Sequence, residues 1–249
     1  MVSTLINTPF SLAWGSDIYA EVVAINDYGR SLTSEAGNGA KIINYADKPV
    51  SLTETVSART ATTITFTWVA GPLERGSAVF DYQIFRAVAS VGVYTSIATE
   101  VTSLSYTATG LTTGETYSFK VQAQNGFGYS ESSDPVTILC ATKPVTPVAP
   151  VTSVSADKAI ITWTAPYDNG TPIKGYNVYI RKADLTYVFD NSVCDGTTSA
   201  VVLSGVTQCT IPLSTLTSAP YSLLLGFKIS SYVVAYNDYG LSIASPIGS

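Results

Sequence analysis

The sequence predicts an all-β protein built from tandem β-sandwich modules, and three observations support this prediction. The chain has 249 residues, which is too long for one sandwich of about 100 residues and suits two such modules with part of a third. The composition is 46% hydrophobic and 12% charged, which excludes a solvated disordered chain and, with abundant Thr, Val, Ile and Tyr, favours strands over helices. The third observation is an internal repeat, which sets the domain organisation.

The internal repeat relates the two ends of the chain. The segment that begins at Ser3 corresponds without a gap to the segment that begins at Ser214 and runs to the C-terminus. A third, more distant copy lies midway between them. All three copies share the pattern V-x-A-x-N-x-x-G-x-S, which starts at Val22, Val121 and Val233. The copies recur at roughly the spacing of one sandwich, so the array alternates two module types.

Hydrophobic alternation locates the strands. Ile64, Phe66 and Trp68 fall on one face of a strand, whereas Thr65 and Thr67 fall on the other face. By the same criterion we expect further strands at residues 82–86, 106–108, 136–140, 159–163 and 176–180.

These strands and the proline-led entry at residues 48–50 resemble the fibronectin type III module. In the strand letters of that family, residues 64–68 and 159–163 resemble strand B, residues 82–86 and 176–180 strand C, residues 106–108 strand E and residues 136–140 strand G, and strand F of the last part runs through Val233 and Ala235. The resemblance implies an immunoglobulin-like sandwich in which Trp68 lies in the core and Tyr117 is the tyrosine of the corner between strands E and F. The plan repeats from Lys143, but Ile229 stands where the middle part has Tyr117, so the tyrosine corner is not carried over there. The first and last parts are also similar to long type III arrays predicted on the surfaces of ciliated protists.

The repeat and the resemblance together define three modules. We expect a partial fibronectin type III-like module with only its C-terminal strands at residues 1–46, a complete domain at 47–142, and a domain lacking its last strand at 143–249. They are called the first, middle and last modules below. Incomplete sandwiches expose unpaired backbone groups. Either the chain is a window on a longer covalent array, or separate chains complete each other's sandwiches by strand addition.

Charged and titratable residues argue against catalysis and against nucleic-acid binding. With 13 basic and 18 acidic residues, the chain lacks the basic stripe that a phosphate backbone requires. It has no histidine, the commonest general base and metal ligand. We therefore expect no catalytic residue, no metal site, no bound cofactor and no nucleic-acid partner. No apolar run reaches membrane-spanning length, and the residues after Met1 do not have the pattern of a signal peptide, so we expect any export signal to lie outside the given residues.

The repeated Asn residues Asn26, Asn125 and Asn237 each begin a turn between strands F and G. An exposed aromatic residue on such a turn could contact a partner protein or a sugar ring. The structural interpretation, which we favour, is that Asn and Gly supply the positive-φ positions of a tight hairpin.

Two of the three cysteines, Cys194 and Cys209, lie in the last module, and we expect a disulfide between them. Closing this loop would stabilise the fold by about 3 kcal/mol. The alternative is a pair of reduced, buried thiols. Cys140 is expected to be a small buried core residue. Asn169, in the sequence Asn-Gly-Thr, is a candidate N-glycosylation site on an exposed turn between strands B and C.

The sequence therefore predicts a non-catalytic protein, with two classes of function left open. The first is a structural or adhesive array in an extracellular filament, stalk or coat, whose partners are further copies of like modules and, as a second candidate, a glycan. The second is a spacer or ligand-binding segment of a larger enzyme or receptor. The sandwich fold hosts many functions, so the fold alone does not decide between these two classes. We expect an extracellular or cell-surface location, because disulfides persist in oxidising compartments.

Overall fold

The computed structural model describes residues 2–197 and 205–249, and its regular structure is almost wholly antiparallel β-sheet. Two short helices, α1 (Val2–Ile6) and α2 (Leu213–Thr217), and a 3-10 turn at Val56–Ala58 are the exceptions in this part of the chain. The strands, in chain order, are β1 (Asp17–Ala20), β2 (Ile25–Asn26), β3 (Gly29–Arg30), β4 (Gly37–Lys41), β5 (Val50–Glu54), β6 (Ile64–Val69), β7 (Asp81–Val88), β8 (Thr95–Val101), β9 (Ser105–Ala108), β10 (Thr116–Asn125), β11 (Gly128–Tyr129), β12 (Val136–Leu139), β13 (Val151–Ser155), β14 (Lys158–Thr162), β15 (Gly175–Arg181), β16 (Tyr187–Phe189), β17 (Gln208–Pro212), β18 (Ser231–Asn237) and β19 (Gly240–Leu241).

The chain divides into two compact units. The N-terminal unit comprises residues 1–58, 64–109 and 116–139, and the C-terminal unit comprises residues 59–63, 110–115 and 140–249. Neither unit corresponds to a single predicted module, and the three-module division stays a prediction. No helix in the described part of the chain has the length and apolar character needed to cross a membrane.

Two facing sheets form the main body of the N-terminal unit. One has the strand order β5-β6-β9, and the other has the order β11-β10-β7-β8, with β12 also paired to β10. The predicted alternation in β6 is confirmed, since Ile64, Phe66 and Trp68 are buried. Phe66 packs on Phe119 of β10 with ring centroids 4.7 Å apart. This inter-sheet contact gives the sandwich its core.

The first module contributes β1 to β4 to the same unit. Strand β1 pairs with β4, and β2 pairs with β3. Val22 is exposed, whereas its repeat counterpart Val233 is fully buried in the C-terminal unit. The difference arises because β18, which carries Val233, pairs with β15 and belongs to a complete four-stranded sheet.

The C-terminal unit contains the sheets β13-β14-β17 and β16-β15-β18-β19. Their core includes Trp163 and Val178, and the long connection between strands E and F adds Leu216 of α2 and Tyr221 to it. The Ala183 N–H donates to the Tyr221 carbonyl at 2.8 Å. Burial of Leu216 and Tyr221, together with this backbone bond, thus attaches the connection to the core of the C-terminal unit.

The start of a further strand is visible in the last module. Ser231 and Gly248 form an isolated antiparallel bridge. In the repeat register this pair corresponds to Phe119 and Val136, where β10 meets β12 in the middle module. The bridge therefore lies at the position that the first contact of β12 with β10 takes in the middle module.

Candidate functional site

The same arrangement of polar groups occurs twice in the structure, where a linker meets the loop between strands B and C and the turn between strands F and G. The first junction consists of linker residues 44–47, loop residues 73–77 and Asn125, and it lies within the N-terminal unit. The second junction consists of linker residues 142–145, loop residues 167–171 and Asn237, and it lies within the C-terminal unit.

Asn125 holds the first junction together through its side-chain amide. Its Nδ2 donates to the carbonyl of Asn44 at 2.8 Å, of Glu74 at 3.0 Å and of Ser77 at 3.3 Å. Because an amide has two hydrogens, one of them is shared between two carbonyls. Asn125 is only 2% exposed. A buried side chain at the end of β10 thus connects the linker to the loop between strands B and C.

Asn237 makes the same contacts in the second junction. Its Nδ2 donates to the carbonyl of Thr142 at 2.8 Å, of Asp168 at 2.9 Å and of Thr171 at 3.5 Å. Asn237 is 5% exposed. The acceptors are again one linker carbonyl and two carbonyls of the loop between strands B and C.

A two-residue turn of unusual backbone geometry lies in each junction. Both residues of the turn Arg75-Gly76 have positive φ, at 51° and 85°, and those of the turn Asn169-Gly170 have φ of 57° and 95°. The turn carbonyl accepts from the linker, since the N–H of Asn44 donates to Arg75 and that of Thr142 donates to Asn169, each at 3.0 Å. Glycine suits the second position because it adopts positive φ without a steric penalty.

Close backbone approach explains why that second residue is glycine in the first junction. A Cβ on Gly76 would lie 2.4 Å from the Ile42 carbonyl oxygen and 2.5 Å from the Gly15 nitrogen. The Gly15 N–H itself donates to Ile42 at 2.8 Å. The turn therefore packs directly on the backbone of the corner between strands E and F of the first module.

The second junction repeats this contact with different residues. A Cβ on Gly170 would lie 2.7 Å from the Gly114 nitrogen and 3.0 Å from the Cys140 carbonyl oxygen. The Gly114 N–H donates to Cys140 at 2.8 Å. Cys140 is fully buried, in agreement with its predicted role, and its thiol donates to the Ala61 carbonyl at 3.2 Å.

The repeated asparagines do not act as sequence analysis predicts. In the three hairpins the described residues with positive φ are Gly29, Gly128 and Gly240, and the asparagines are not among them. Asn is needed for its side chain, whose Oδ1 accepts the backbone N–H two residues later and whose Nδ2, in Asn125 and Asn237, reaches carbonyls distant in sequence. The prediction of positive φ at Asn was wrong, because turn preference and long-range bonding favour the same residue type.

The aromatic residues of these turns differ in exposure. Phe127 packs edge-on against Tyr45 of the linker, with ring centroids 4.7 Å apart. The Arg59 guanidinium lies 4.1 Å from the ring centroid of Tyr239. Tyr28 is 100% exposed. Two of the three aromatic residues therefore take part in contacts within the chain.

A second serine extends the repeated motif and was missed by sequence analysis. The hydroxyl oxygens of Ser130 and Ser133 accept the backbone N–H groups of Ala123 and Val121 at 3.0 Å. The same bonds recur in the other two repeats, with Ser31, Ser34, Ser242 and Ser245. The repeated S-x-x-S spacing is the signal that could have revealed this contact.

The structure joins Cys194 and Cys209, with an S–S distance of 2.08 Å and a Cα–Cα distance of 5.5 Å. Cys209 lies in β17, whereas Cys194 lies in a turn after β16. This is the pairing that the sequence predicts. Next to it, hydrogen bonds from the Thr197 hydroxyl and N–H lower the pKa of Asp195.

The candidate glycosylation site Asn169 lies on the predicted turn, but this residue is half-buried. Its Nδ2 donates to the Lys143 carbonyl at 2.8 Å. Asn169 is therefore less exposed than expected for an asparagine that carries a glycan, because it belongs to the second junction. Glycosylation of Asn169 stays a prediction.

Carboxyl groups with shifted pKa values occupy ordinary structural positions. Hydrogen bonds from Thr186 and Lys182 lower the pKa of Asp184 to about 2 in an exposed turn. Burial, and then the charge of Glu100, raise the pKa of Asp81. Within residues 2–197 and 205–249, no three His, Cys, Asp or Glu side chains are grouped so that they could hold a metal ion.

Comparisons with known proteins agree with this architecture. Residues 48–139 match the family model described as Fibronectin type III domain. The chain is 34% identical over 163 residues to Endoglucanase B of Cellulomonas fimi, and the matched region is 62% of this chain and 15% of that protein. It is 30% identical over 138 residues to Chitinase A1 of Niallia circulans, and the matched region is 52% of this chain and 18% of that protein. The chain thus spans less than a fifth of the length of these curated relatives.

Two solved structures are also similar to the chain. A two-fibronectin type-III domain segment from chicken tenascin is 17% identical, with 81% of this chain and 98% of that chain covered and a TM-score of 0.41. A Fn3-like protein from Clostridium thermocellum is 30% identical, with 38% of this chain and 92% of that chain covered and a TM-score of 0.33.

Proposed function

Because residues 48–139 form a fibronectin type III domain, we propose that the chain is a non-catalytic array of such modules in an extracellular protein. Its role is to hold successive modules in a defined arrangement, and its partners are further modules of the same kinds. The single observation that carries this proposal is the recurrence of the junction. Asn125 and Asn237 each bind one linker carbonyl and two loop carbonyls, and this replaces a flexible tether by a bonded connection.

A second candidate function is favoured by the relatives. Endoglucanase B and Chitinase A1 are named as enzymes, and this chain matches only a small part of each. In this version the array is a non-catalytic spacer within a larger secreted glycosidase. Mass spectrometry of the native protein, captured with an antibody against residues 47–142, separates the two. Further like modules in the same chain support the first, and an attached catalytic domain supports the second.

A distance measurement tests whether a junction holds its modules. Nitroxide labels at Tyr19→Cys and Val93→Cys are both exposed and both lie within the N-terminal unit. We expect a narrow distribution of label distances in pulsed electron paramagnetic resonance. Asn125→Ala should broaden it, because the linker loses its bond to the side chain.

Asn26→Ala is the matched control, since Asn26 is exposed and its Oδ1 accepts only the local N–H of Tyr28 among the bonds described. It should leave the distance distribution unchanged. A broad distribution in the parent chain would refute a structural role for the junction. Hydrolysis of soluble glucan or chitin oligosaccharides by the purified chain would refute the non-catalytic assignment.

A further inference from the structure

The last module has a corner between strands E and F that repeats the corner used in the first junction. Leu225-Gly226 corresponds in the repeat register to Trp14-Gly15. The two glycines have nearly the same backbone conformation, with φ of 84° at Gly15 and 86° at Gly226. The same local fold therefore occurs at both places.

The two corners differ in what covers them. Trp14 is half-buried, and the guanidinium of Arg75 lies 5.4 Å from its ring centroid. Leu225 is 92% exposed, and a Cβ built on Gly226 would meet nothing within 4 Å. Leu224 and Phe227 beside it are exposed as well. We call the four residues 224–227 the corner patch.

A third corner, at Gly114, shows that contact with a two-residue turn of another segment recurs at these corners. Gly114 has φ of 85°, and its Cβ position would lie 3.6 Å from the Cα of Gly170. Gly15 stands in the same relation to Gly76, also at 3.6 Å. In both, a turn with positive φ at two successive residues packs its glycine onto the corner glycine.

We propose that the corner patch is a docking surface for a further type III module of the middle type. The inference rests on the proposed function, that of a module array. The docking module presents a two-residue turn between strands B and C, with positive φ at both residues and glycine second. Any larger second residue is excluded, because its Cβ would overlap the corner backbone as it would at Gly76 and Gly170. The first residue of the docking turn is an arginine, as Arg75 is in the first junction. The apolar part of its side chain covers Leu225, which takes the place that Trp14 has in the first junction.

The experiment uses the full chain extended by a second copy of residues 39–142, because Ser249 corresponds to Asn38 in the repeat. The readout is the alkylation rate of the thiol in Leu225→Cys. We expect this thiol to react rapidly in the 249-residue chain and at least roughly tenfold more slowly in the extended chain, since docking excludes the reagent.

Two variants of the appended copy identify the contact. Gly76→Val in that copy should restore rapid alkylation, because its side chain cannot approach the corner. Gly92→Val should not, because Gly92 also has positive φ, at 74°, but nothing lies within 4 Å of its Cβ position. Protection of the buried Cys140 thiol in both copies shows that each variant is folded.

Equal alkylation rates with and without the appended copy would overturn the proposal, as would slow alkylation that persists with Gly76→Val. Protection in the unextended chain that depends on protein concentration would assign the patch to a second copy of this chain and would also overturn it. The label distances within the N-terminal unit are independent of the corner patch. Failure here therefore leaves the array function standing.

Discussion

The first and second junctions share their backbone contacts and differ in the side chains around them. In the first, Arg75 binds Asp47 through both Nε and Nη2 at 2.7 Å and lies over Trp14. In the second, the corresponding position is Asn169, whose amide donates to the Lys143 carbonyl. The constant features are one buried asparagine and a pair of glycines in contact. The junction is thus specified by a few residues that bind backbone, while the surrounding ion pairs and rings vary.

Substitution of the turn glycines should have the largest effect on stability, and it tests whether the glycine contact stabilises both junctions equally. Gly76→Val and Gly170→Val should each lower the free energy of unfolding by at least about 3 kcal/mol, because strain from positive φ adds to steric overlap with backbone. Chemical denaturation measures both. Gly92→Val is the control and should cost only the backbone strain, about 1–3 kcal/mol. A junction whose glycine variant costs no more than the control is not held by this contact.

Removal of the disulfide tests whether the two junctions fail independently. The double variant Cys194→Ser, Cys209→Ser should destabilise the last module by about 3 kcal/mol, since the unfolded chain loses a loop constraint. Hydrogen exchange should show faster opening of β17 and β18 and unchanged exchange around Asn125. Equal acceleration in both compact units would contradict independent junctions.

The asparagine contacts are expected to be equivalent in the two junctions. Asn125→Ala and Asn237→Ala should each cost about 2–3 kcal/mol, because several buried carbonyls lose their donor. Thermal unfolding and hydrogen exchange of the linker amides measure the loss. Asn26→Ala, at an exposed repeat position, should stay within about 0.5 kcal/mol. If the three variants behaved alike, the local turn and not the junction would explain the repeated pattern.

The ion pair of Arg75 and Asp47 should distinguish the first junction from the second. Arg75→Gln should cost about 0.5–1 kcal/mol at low salt, because the pair is partly exposed. The difference from the parent chain should shrink in 1 M salt, whereas the effect of Asn237→Ala should not change. A salt-independent loss would assign the effect of Arg75 to packing on Trp14.

A buried carboxyl near the first junction provides the smallest test. Asp81 pairs with Gln124 in β10, and Gly175 takes the equivalent position in the last module. Because burial raises the pKa of Asp81, its charged form destabilises the fold at neutral pH, and this penalty disappears as the pH falls through the raised pKa. Asp81→Asn should therefore slightly stabilise the N-terminal unit at pH 7 and not at pH 3. A stabilisation of equal size at both pH values would exclude this cause.

Strands and core residues were accessible from the sequence. The alternation at Ile64, Phe66 and Trp68 predicts which side chains are buried, and the structure confirms it. The period of a strand is a local property, since successive side chains point to opposite faces of a sheet. The pairing of Cys194 with Cys209 was accessible for a different reason, because these two of the three cysteines lie in one module.

The long-range hydrogen bonds of the repeated asparagine could not be predicted from the sequence. The pattern around Asn125 indicates a turn, and its hydrogen-bond acceptors at Asn44, Glu74 and Ser77 lie 81, 51 and 48 positions away. No local pattern specifies which carbonyls come together, because backbone groups are identical at every residue. The requirement for glycine at Gly76 and Gly170 is of the same kind, since it arises from a Cβ that would overlap a distant backbone.

The sequence by itself therefore determined the strand periodicity, the repeat and the family resemblance, all of which follow from side-chain pattern along the chain. Only the tertiary structure decided that Asn125, Asn237 and the glycine pairs form junctions. The physical reason is that a junction is built from backbone donors, acceptors and close approaches, which carry no sequence signal until folding brings them into contact.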